Sequence, residues 1–395
     1  AGGVTAARGF LASGSSAGIK LSGRPDLALV FAQVPVTAAG VFTTNRLQAA
    51  PVRLSRERLR RGVARAVFIN SGCANCLTGK AGLRDARTLS RSVARALGVS
   101  DRDILVASTG LIGARIPVAK VQRVIPSLVD QLSRGQHLAA ARGMLTTDRV
   151  PKEAAVEARL GGRTVRVGGM AKGSGMIAPS MATMLCVLTT DAAVAPGLLR
   201  ALLREATAGS FNRISVDGDM STNDTVFALA SGASAVRIHP GSAAALAFAR
   251  MVQAVTRRLA EAIVTDGEGV SRVAEILVVG ARTDTEAQRC ARRVATSSLV
   301  KTMLAGGDPN VGRIACAVGA SGARFQPERL EIAIRGHRVV RRGAVATLAP
   351  RVARTLLTAR RVRIRINLQA GCGSGRMLTG DLTEAYVRIN ARYLT

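Results

Sequence analysis

The strongest constraint on the fold is a pair of strand-to-helix units, one in each half of the chain. In the first, "RAVFIN" (65–70) is a short, apolar, β-rich run that ends in a turn at Gly72. It is followed by "DARTLSRSVARALG", which puts Ala86, Leu89, Val93 and Leu97 on one helical face and stops at Gly98. In the second, "LCVLTTD" after Thr183 reads as a strand. Pro196 suits a first helical position, and Leu198, Leu199, Leu202, Leu203 and Ala206 form the apolar stripe. Strands and helices continue to interleave. Residues 242–264 read as a long Ala-rich helix capped by Ser242, "EILVVGA" as a strand, and 286–305 as another helix. Later, "RLEIAIRGHRVV" alternates Leu330, Ile332 and Ile334 before a Gly336-His337 turn. "RVRIRINL" alternates Val362, Ile364, Ile366 and Leu368 against Arg361, Arg363 and Arg365, so that strand has one wet, basic face. The expected class is α/β or α+β with mixed sheets. The stretch 149–169, polar and then glycine-containing, reads as a connection between halves.

At 395 residues the chain is long enough for two domains or one large one. No segment approaches 18 uninterrupted apolar residues, and the opening "AGGVTAARGFLASGSSAGIK" lacks the apolar stretch of a secretory signal. The expectation is a soluble, cytoplasmic protein with no membrane partner. The formal net charge of +31 tests that reading. A nucleic-acid binder concentrates its charge in a stripe and interleaves aromatic platforms for bases. Here there is no Trp, there are two Tyr, and six lysines and fifty arginines are spread along the chain. The charge reads as a solvated surface with no nucleic-acid partner, one that attracts acidic small molecules.

Of six cysteines, Cys73 and Cys76 alone form a close pair, in "NSGCANCLTG". There is no second CxxC, and His137, His239 and His337 are scattered, so the pair reads as small buried residues in a glycine-rich turn and no metal site is expected.

The stretch "KGSGMIAPSMATMLCVLTTD" (172–191) leads through small residues to Ala182-Thr183 and then into a strand. A hydroxyl nucleophile needs a base, most often a histidine held by a carboxylate. None of the three histidines sits in such a setting. If the Ala182–Thr183 bond were cut, the freed α-amine, with a reference pKa of roughly 7.7–8.0, would lie within reach of its own Oγ. The cut can be self-made: Thr183 Oγ attacks the Ala182 carbonyl, an ester forms by N-to-O acyl shift, and water releases it. On the residues alone, Thr183 reads first as an ordinary β-branched residue opening a strand, and Gly110 first as a turn glycine.

Six colinear stretches go further. They are "KGSGMIAPSMATMLCVLTTDA" (172–192), "GSFNRISVDGDMSTNDT" (209–225), "ASTGLIG" (107–113), "NSGCANCLTGKAG" (70–82), "LVKTMLAGGDPNVGRI" (299–314) and "DLTEAYVRINARYLT" (381–395). Together they resemble the glutamate N-acetyltransferase (ornithine acetyltransferase) family over nearly the whole chain. The resemblance implies a two-domain layered α/β sandwich of the DmpA/ornithine acetyltransferase-like fold. It also implies self-cleavage between Ala182 and Thr183 into an α chain (1–182) and a β chain (183–395), and an α2β2 heterotetramer. Thr183 would be the acetyl-accepting nucleophile, and Thr109 and Gly110 the oxyanion hole. Losing one such donor typically slows a reaction about 10²- to 10³-fold. Substrate contacts fall on Thr147, Lys172, Thr183, Glu268, Asn390 and Thr395, with Thr146 beside Thr147. A lysine suits an amino-acid carboxylate, and Glu268 the cationic tail of ornithine. The implied reaction moves acetyl from N2-acetylornithine to glutamate, giving ornithine and N-acetylglutamate, with no cofactor; acetyl-CoA is open as a second donor. A related N-terminal-nucleophile aminopeptidase or amidase, with water as acceptor, is the rival, and a basic nucleic-acid-binding protein a more distant one. The family pattern has tryptophan where Val311 stands and an acid where Gly307 stands, which puts local loop packing in doubt.

Overall fold

The computed structural model describes residues 2–178 and 184–392. In chain order the strands are β1 (Phe10–Ser15), β2 (Leu27–Phe42), β3 (Val63–Cys73), β4 (Ile104–Leu111), β5 (Lys152–Leu160), β6 (Arg163–Lys172) and β7 (Leu185–Thr190). They continue with β8 (Ala193–Val194), β9 (Ile214–Ser215), β10 (Thr225–Ala230), β11 (Arg237–Ile238), β12 (Val273–Ala281), β13 (Glu331–Ile334) and β14 (His337–Arg341). The last are β15 (Ala344–Val345), β16 (Arg361–Asn367) and β17 (Gly373–Gly380). Helices α1 (Ala50–Arg58), α2 (Gly79–Leu97), α3 (Val118–Asp130), α4 (His137–Gly143), α5 (Pro196–Ala208) and α6 (Ala243–Thr265) precede α7 (Asp284–Ala295) and α8 (Ser298–Gly306). The last three are α9 (Val311–Gly319), α10 (Pro350–Thr355) and α11 (Glu384–Ala391). Among the described residues no helix is long and apolar enough to cross a membrane.

The first sheet has eight strands in the order β4-β3-β2-β10-β7-β6-β5, with β1 paired to the first half of the long β2. Only the β3/β4 and β7/β10 pairs in it are parallel, so the class is α/β with mixed sheets. Both faces are covered, which is why its strands read as continuous apolar runs. On β3, Ala66 and Phe68 pack with Leu89 and Val93 of α2 and Ile125 of α3, while Val67 and Ile69 face Phe10 and Ala140. All six residues of β7 are buried; Cys186 and Leu188 face α5 and α6, and Leu185 and Val187 face the opposite layer. Helix α2 follows the expected stripe and ends on Gly98 at φ 65°, a left-handed cap that a residue with a Cβ adopts at a cost.

The second sheet has seven strands in the order β15-β14-β13-β16-β12-β17-β9. Helices α7, α8 and α9 cover one face, where Cys290, Val294, Met303 and Ile314 meet Ile276, Ile364 and Ile366. The other face is open, so β16 alternates exposed arginine with buried Val362, Ile364 and Ile366 as its sequence dictates. The two sheets share apolar packing, because Leu378 of β17 and Val264 of α6 lie in the same cluster as Cys186 and Leu188.

Two expectations are corrected. Residues 149–169 are no connection between halves: they hold the β5–β6 hairpin, in unbroken register and turned at Gly161 (φ 55°) and Gly162 (φ 77°). Its alanines and half-exposed charged residues dilute the alternation that marks a strand, and adjacent glycines at positive φ suit a two-residue turn. The single helix expected over 286–305 is two, because the Ser297 hydroxyl accepts from the Val300 amide at 3.4 Å and starts α8 afresh. In that region Gly307 caps α8 at φ 75°, a conformation that explains glycine at this position.

The two strands of the first sheet that follow residue 182, β10 and β7, lie together between strands that precede it. β6 pairs with β7, and β2 with β10. A cut there leaves two polypeptides interleaved in one sheet.

Candidate active site

The site starts from two strands ending together. β3 and β4 run parallel to the point where Gly72 and Gly110 lie side by side. A Cβ on Gly110 would stand 2.3 Å from the Gly72 carbonyl carbon, and its φ of +127° is one that only glycine adopts freely. This close approach sets Thr109 and Gly110 on the wall of a cavity of about 280 Å³. Thr147, Lys172, Glu268 and Asn390 line the same cavity. They arrive from the loop after α4, the end of β6, the turn after α6 and the face of α11. Ala182, Thr183 and Thr395 lie outside the described residues; Met184, the next residue after Thr183, is described. A wider hollow of about 560 Å³ on the open face of the second sheet is lined by Arg361, Arg363, Arg365 and Glu275.

Lys172 is fully enclosed. Its Nζ donates to Thr146 Oγ1 (2.8 Å) and Thr109 Oγ1 (3.4 Å) and lies 3.8 Å from Asp148 Oδ2. Burial pushes its ammonium below the ordinary lysine range, against the pull of Asp148. Burial also raises the Asp148 carboxyl, but Lys172 and Lys152, with hydrogen bonds from Lys152 and the Gly173 amide, outweigh it and hold that carboxyl at about 2. Lys152 Nζ donates to Asp148 Oδ1 (2.6 Å) and Asp266 Oδ2 (2.7 Å), and the Gly173 amide donates to Asp148 Oδ1 (2.7 Å). Lys172 is therefore oriented by the protein itself. Thr146 takes its hydrogen bond, while Thr147 stands on the cavity wall beside it.

Across the cavity, Asn390 Nδ2 donates to Glu268 Oε2 at 2.8 Å. Helix α11 is held in place by Tyr386, whose hydroxyl donates to Asp217 at 3.3 Å. Glu268 lies over Gly175, where a Cβ would meet its carboxylate at 2.3 Å. The carboxylate reaches the cavity because residue 175 has no side chain.

Three polar residues carry this arrangement without having been singled out from the sequence: Asp148, Asn223 and Asp224. Asn223 Nδ2 donates to the carbonyls of Ala74 and Ser108, both at 2.7 Å, tying the end of β4 to the loop before β10. Asp224 Oδ1 accepts from the Met184 amide at 2.9 Å. The available signal was "STNDT" (221–225), a polar run abutting a strand buried at every residue. The histidines lie elsewhere: His137 pairs with Glu153 at 2.9 Å, and His239 and His337 are exposed. Cys73 and Cys76 are buried free thiols bonded to the carbonyls of Ala114 and Leu47 (3.2 and 3.4 Å), and burial pushes the Cys73 thiol up, away from reactive thiolate.

Known proteins resemble this chain along its length. A sequence profile described as the ArgJ family matches residues 11–395. The arginine biosynthesis bifunctional protein ArgJ of Thermosynechococcus vestitus is 47% identical, covering 100% of this chain and 98% of the relative. The protein of the same name from Symbiobacterium thermophilum is 46% identical, covering 100% and 99%. A solved structure, ornithine acetyltransferase complexed with ornithine from Mycobacterium tuberculosis, is 43% identical over 45% of this chain and 95% of that one, with a TM-score of 0.41.

Proposed function

The chain belongs to the ArgJ family, which makes it an acetyltransferase of arginine biosynthesis, and from that premise we propose that it cleaves itself and works through Thr183. The freed α-amine of Thr183 takes the proton of its own hydroxyl as Oγ attacks the acetyl carbonyl of N2-acetylornithine. Thr109 and Gly110 stabilise the oxyanion, and the acetyl–nitrogen bond breaks as the α-amine hands that proton to the departing ornithine nitrogen. The amine of glutamate then takes the acetyl group from Thr183, its own proton returning through the α-amine to Oγ, to give N-acetylglutamate. Lys172 and Thr147 hold the amino-acid carboxylate, Glu268 holds the ornithine ammonium, and Asn390 keeps Glu268 in place, with Thr395 completing the substrate contacts. The cycle uses the residue's own amine and hydroxyl and calls for neither metal nor dissociable cofactor. Acetyl-CoA as a second donor, an α2β2 assembly of the two chains and a cytoplasmic location belong to the same reading.

The observation that carries it is the convergence on one cavity of Thr109, Gly110, Lys172 and Glu268, which are more than 150 positions apart at their extremes. A lysine and a carboxylate on the walls of one cavity support the reading of a site that binds an amino acid at both ends.

The test is a mass spectrum of the denatured protein together with an acetyl-transfer assay. Wild type is expected as two fragments meeting at Ala182/Thr183. Thr183→Ala is expected as a single chain of about 41 kDa that transfers no acetyl to glutamate. Acetate release without transfer would instead favour the hydrolase reading, and an active Thr183→Ala variant would end the proposal.

A further inference from the structure

Among the buried titratable groups that the cycle above leaves unused is Asp224. Asp224 is wholly buried at the start of β10, which runs parallel to β7 with Thr225 opposite Leu185. That register puts Asp224 beside Met184, and the two residues are tied twice. The Met184 amide donates to Asp224 Oδ1 at 2.9 Å, and the Thr225 amide donates to the Met184 carbonyl at 3.1 Å. Met184 N is covalently bonded to the carbonyl carbon of Thr183, so this carboxyl is fixed one peptide unit from the residue that is cut. Its second oxygen, Oδ2, is buried with no hydrogen-bond partner among the described residues. A native protein rarely leaves such an atom without a use. Since Oδ1 already accepts an N–H, a proton on this carboxyl sits on Oδ2.

We propose that Asp224 is the proton carrier of the self-cleavage step, a role that rests on the reading of Thr183 given above. In the precursor, the bond from Thr183 Oγ to the Ala182 carbonyl carbon forms, and the bond from that carbon to the Thr183 nitrogen breaks. The nitrogen must gain a proton and the hydroxyl must lose one. The Asp224 acid gives its Oδ2 proton to the departing nitrogen and receives the hydroxyl proton in return, so the carboxyl ends as it began. Water then opens the ester: its oxygen joins the Ala182 carbonyl carbon, one of its protons returns to Thr183 Oγ, and the new acid gives its proton to the free amine. Burial pushes the Asp224 carboxyl well above the usual range, which keeps it protonated and able to donate. The Met184 amide and Lys172 oppose that shift, and Lys172 is itself faced by Asp148, Lys152 and Glu268.

The experiment follows freshly synthesised precursor by intact mass, for wild type, Asp224→Asn and Thr183→Ala, between pH 6 and pH 10. The asparagine keeps the acceptor for the Met184 amide but has no proton to give up. Its cleavage is expected to be at least about 10²-fold slower than wild type, the scale of a lost general acid–base group. The wild-type rate is expected to fall as alkali removes the acid form, and the residual Asp224→Asn rate to be flat over the same range. Cleavage of Asp224→Asn at the wild-type rate overturns the proposal. Should that variant fail to fold by circular dichroism, the wild-type profile decides alone, and a rate that climbs steadily with pH overturns the proposal. A wild type that stays one chain yet transfers acetyl sinks the Thr183 reading instead, and cleavage of Thr183→Ala does the same.

Discussion

Each of the two sheets buries a lysine against it, and the surroundings of the two lysines are opposite. Lys152 opens β5 in the first sheet and donates to two buried carboxylates, Asp148 at 2.6 Å and Asp266 at 2.7 Å. Lys301, on α8 behind the second sheet, donates to the Thr379 hydroxyl (3.0 Å) and the Gly380 carbonyl, with Asp217 and Asp381 acting on it through space. Burial draws Lys301 down to about 8. The first arrangement holds a fixed charge pattern beside Lys172 and the cavity. The second only closes backbone and hydroxyl groups, and a lysine there costs stability when protonated. Full charge compensation is found where a side chain must be aimed, and is absent where the core merely has to be filled.

Removing one lysine from each sheet tests that contrast, and the larger effect is expected in the first. Lys152→Met leaves Asp148 and Asp266 buried without their cation. Breaking a buried pair in this way typically costs about 3–5 kcal/mol. A fall of that size in denaturant-derived stability is expected, with a loss of acetyl transfer because Asp148 no longer holds Lys172 in place. The double variant Lys152→Met/Asp148→Asn should lose less than the sum of the two single losses, since the residues share one network. A Lys152→Met protein as stable and active as wild type would erase the distinction.

Lys301 gives a smaller effect, and one that depends on pH. Its folded value of about 8 lies below the ordinary 10.5, so between those values the unfolded chain binds the extra proton and stability rises with pH. Below about 8 both states are protonated and the penalty is present in full. Lys301→Met is expected to remove the alkaline rise, worth on the order of 2–3 kcal/mol between pH 7 and pH 10.5. Urea midpoints at the two pH values check this. A wild-type midpoint that is unchanged or falls toward pH 10.5, with no difference from Lys301→Met, would mean that Lys301 is compensated as fully as Lys152.

The same contrast governs what could be read from the sequence. β16 was legible residue by residue because one face is wet, and alternating arginine with valine and isoleucine can satisfy only that geometry. β3 and β7 were legible as apolar runs because both faces are covered. β5 and β6 were missed, since alanines on the half-exposed β5 and glycines on the mostly buried β6 leave little pattern. In the site, Thr109, Gly110, Thr147, Lys172, Glu268 and Asn390 came from motifs, and they do share a cavity. Asp148 and Asp224 did not emerge, because a single acid carries no periodicity. What makes each one matter is burial against partners brought from elsewhere by the sheet: Lys172 for Asp148, and the Met184 amide for Asp224.

The smallest effect belongs to the open face of the second sheet. Arg363 Nε donates to Glu275 Oε2 at 2.6 Å, but its side chain is 68% exposed and Arg376 pairs with the same carboxylate at 2.6 Å. The arginine end of the pair is solvated, where such pairs contribute about 0–1 kcal/mol, and Arg376 remains to serve the mostly buried Glu275 when Arg363 is gone. Arg363→Ala is therefore expected to shift stability by less than about 1 kcal/mol, with the shift shrinking further in high salt and acetyl transfer unchanged. The +31 net charge gives the experiment a second edge. If the arginines of β16 only solvate an open sheet, removing one relieves like-charge repulsion from Arg361 and Arg365 and offsets part of the lost pair. A cost well above 1 kcal/mol, undiminished by salt, would mean that this face is covered in the working protein. The difference between a sheet that aims side chains and a sheet that faces water would then have to be redrawn.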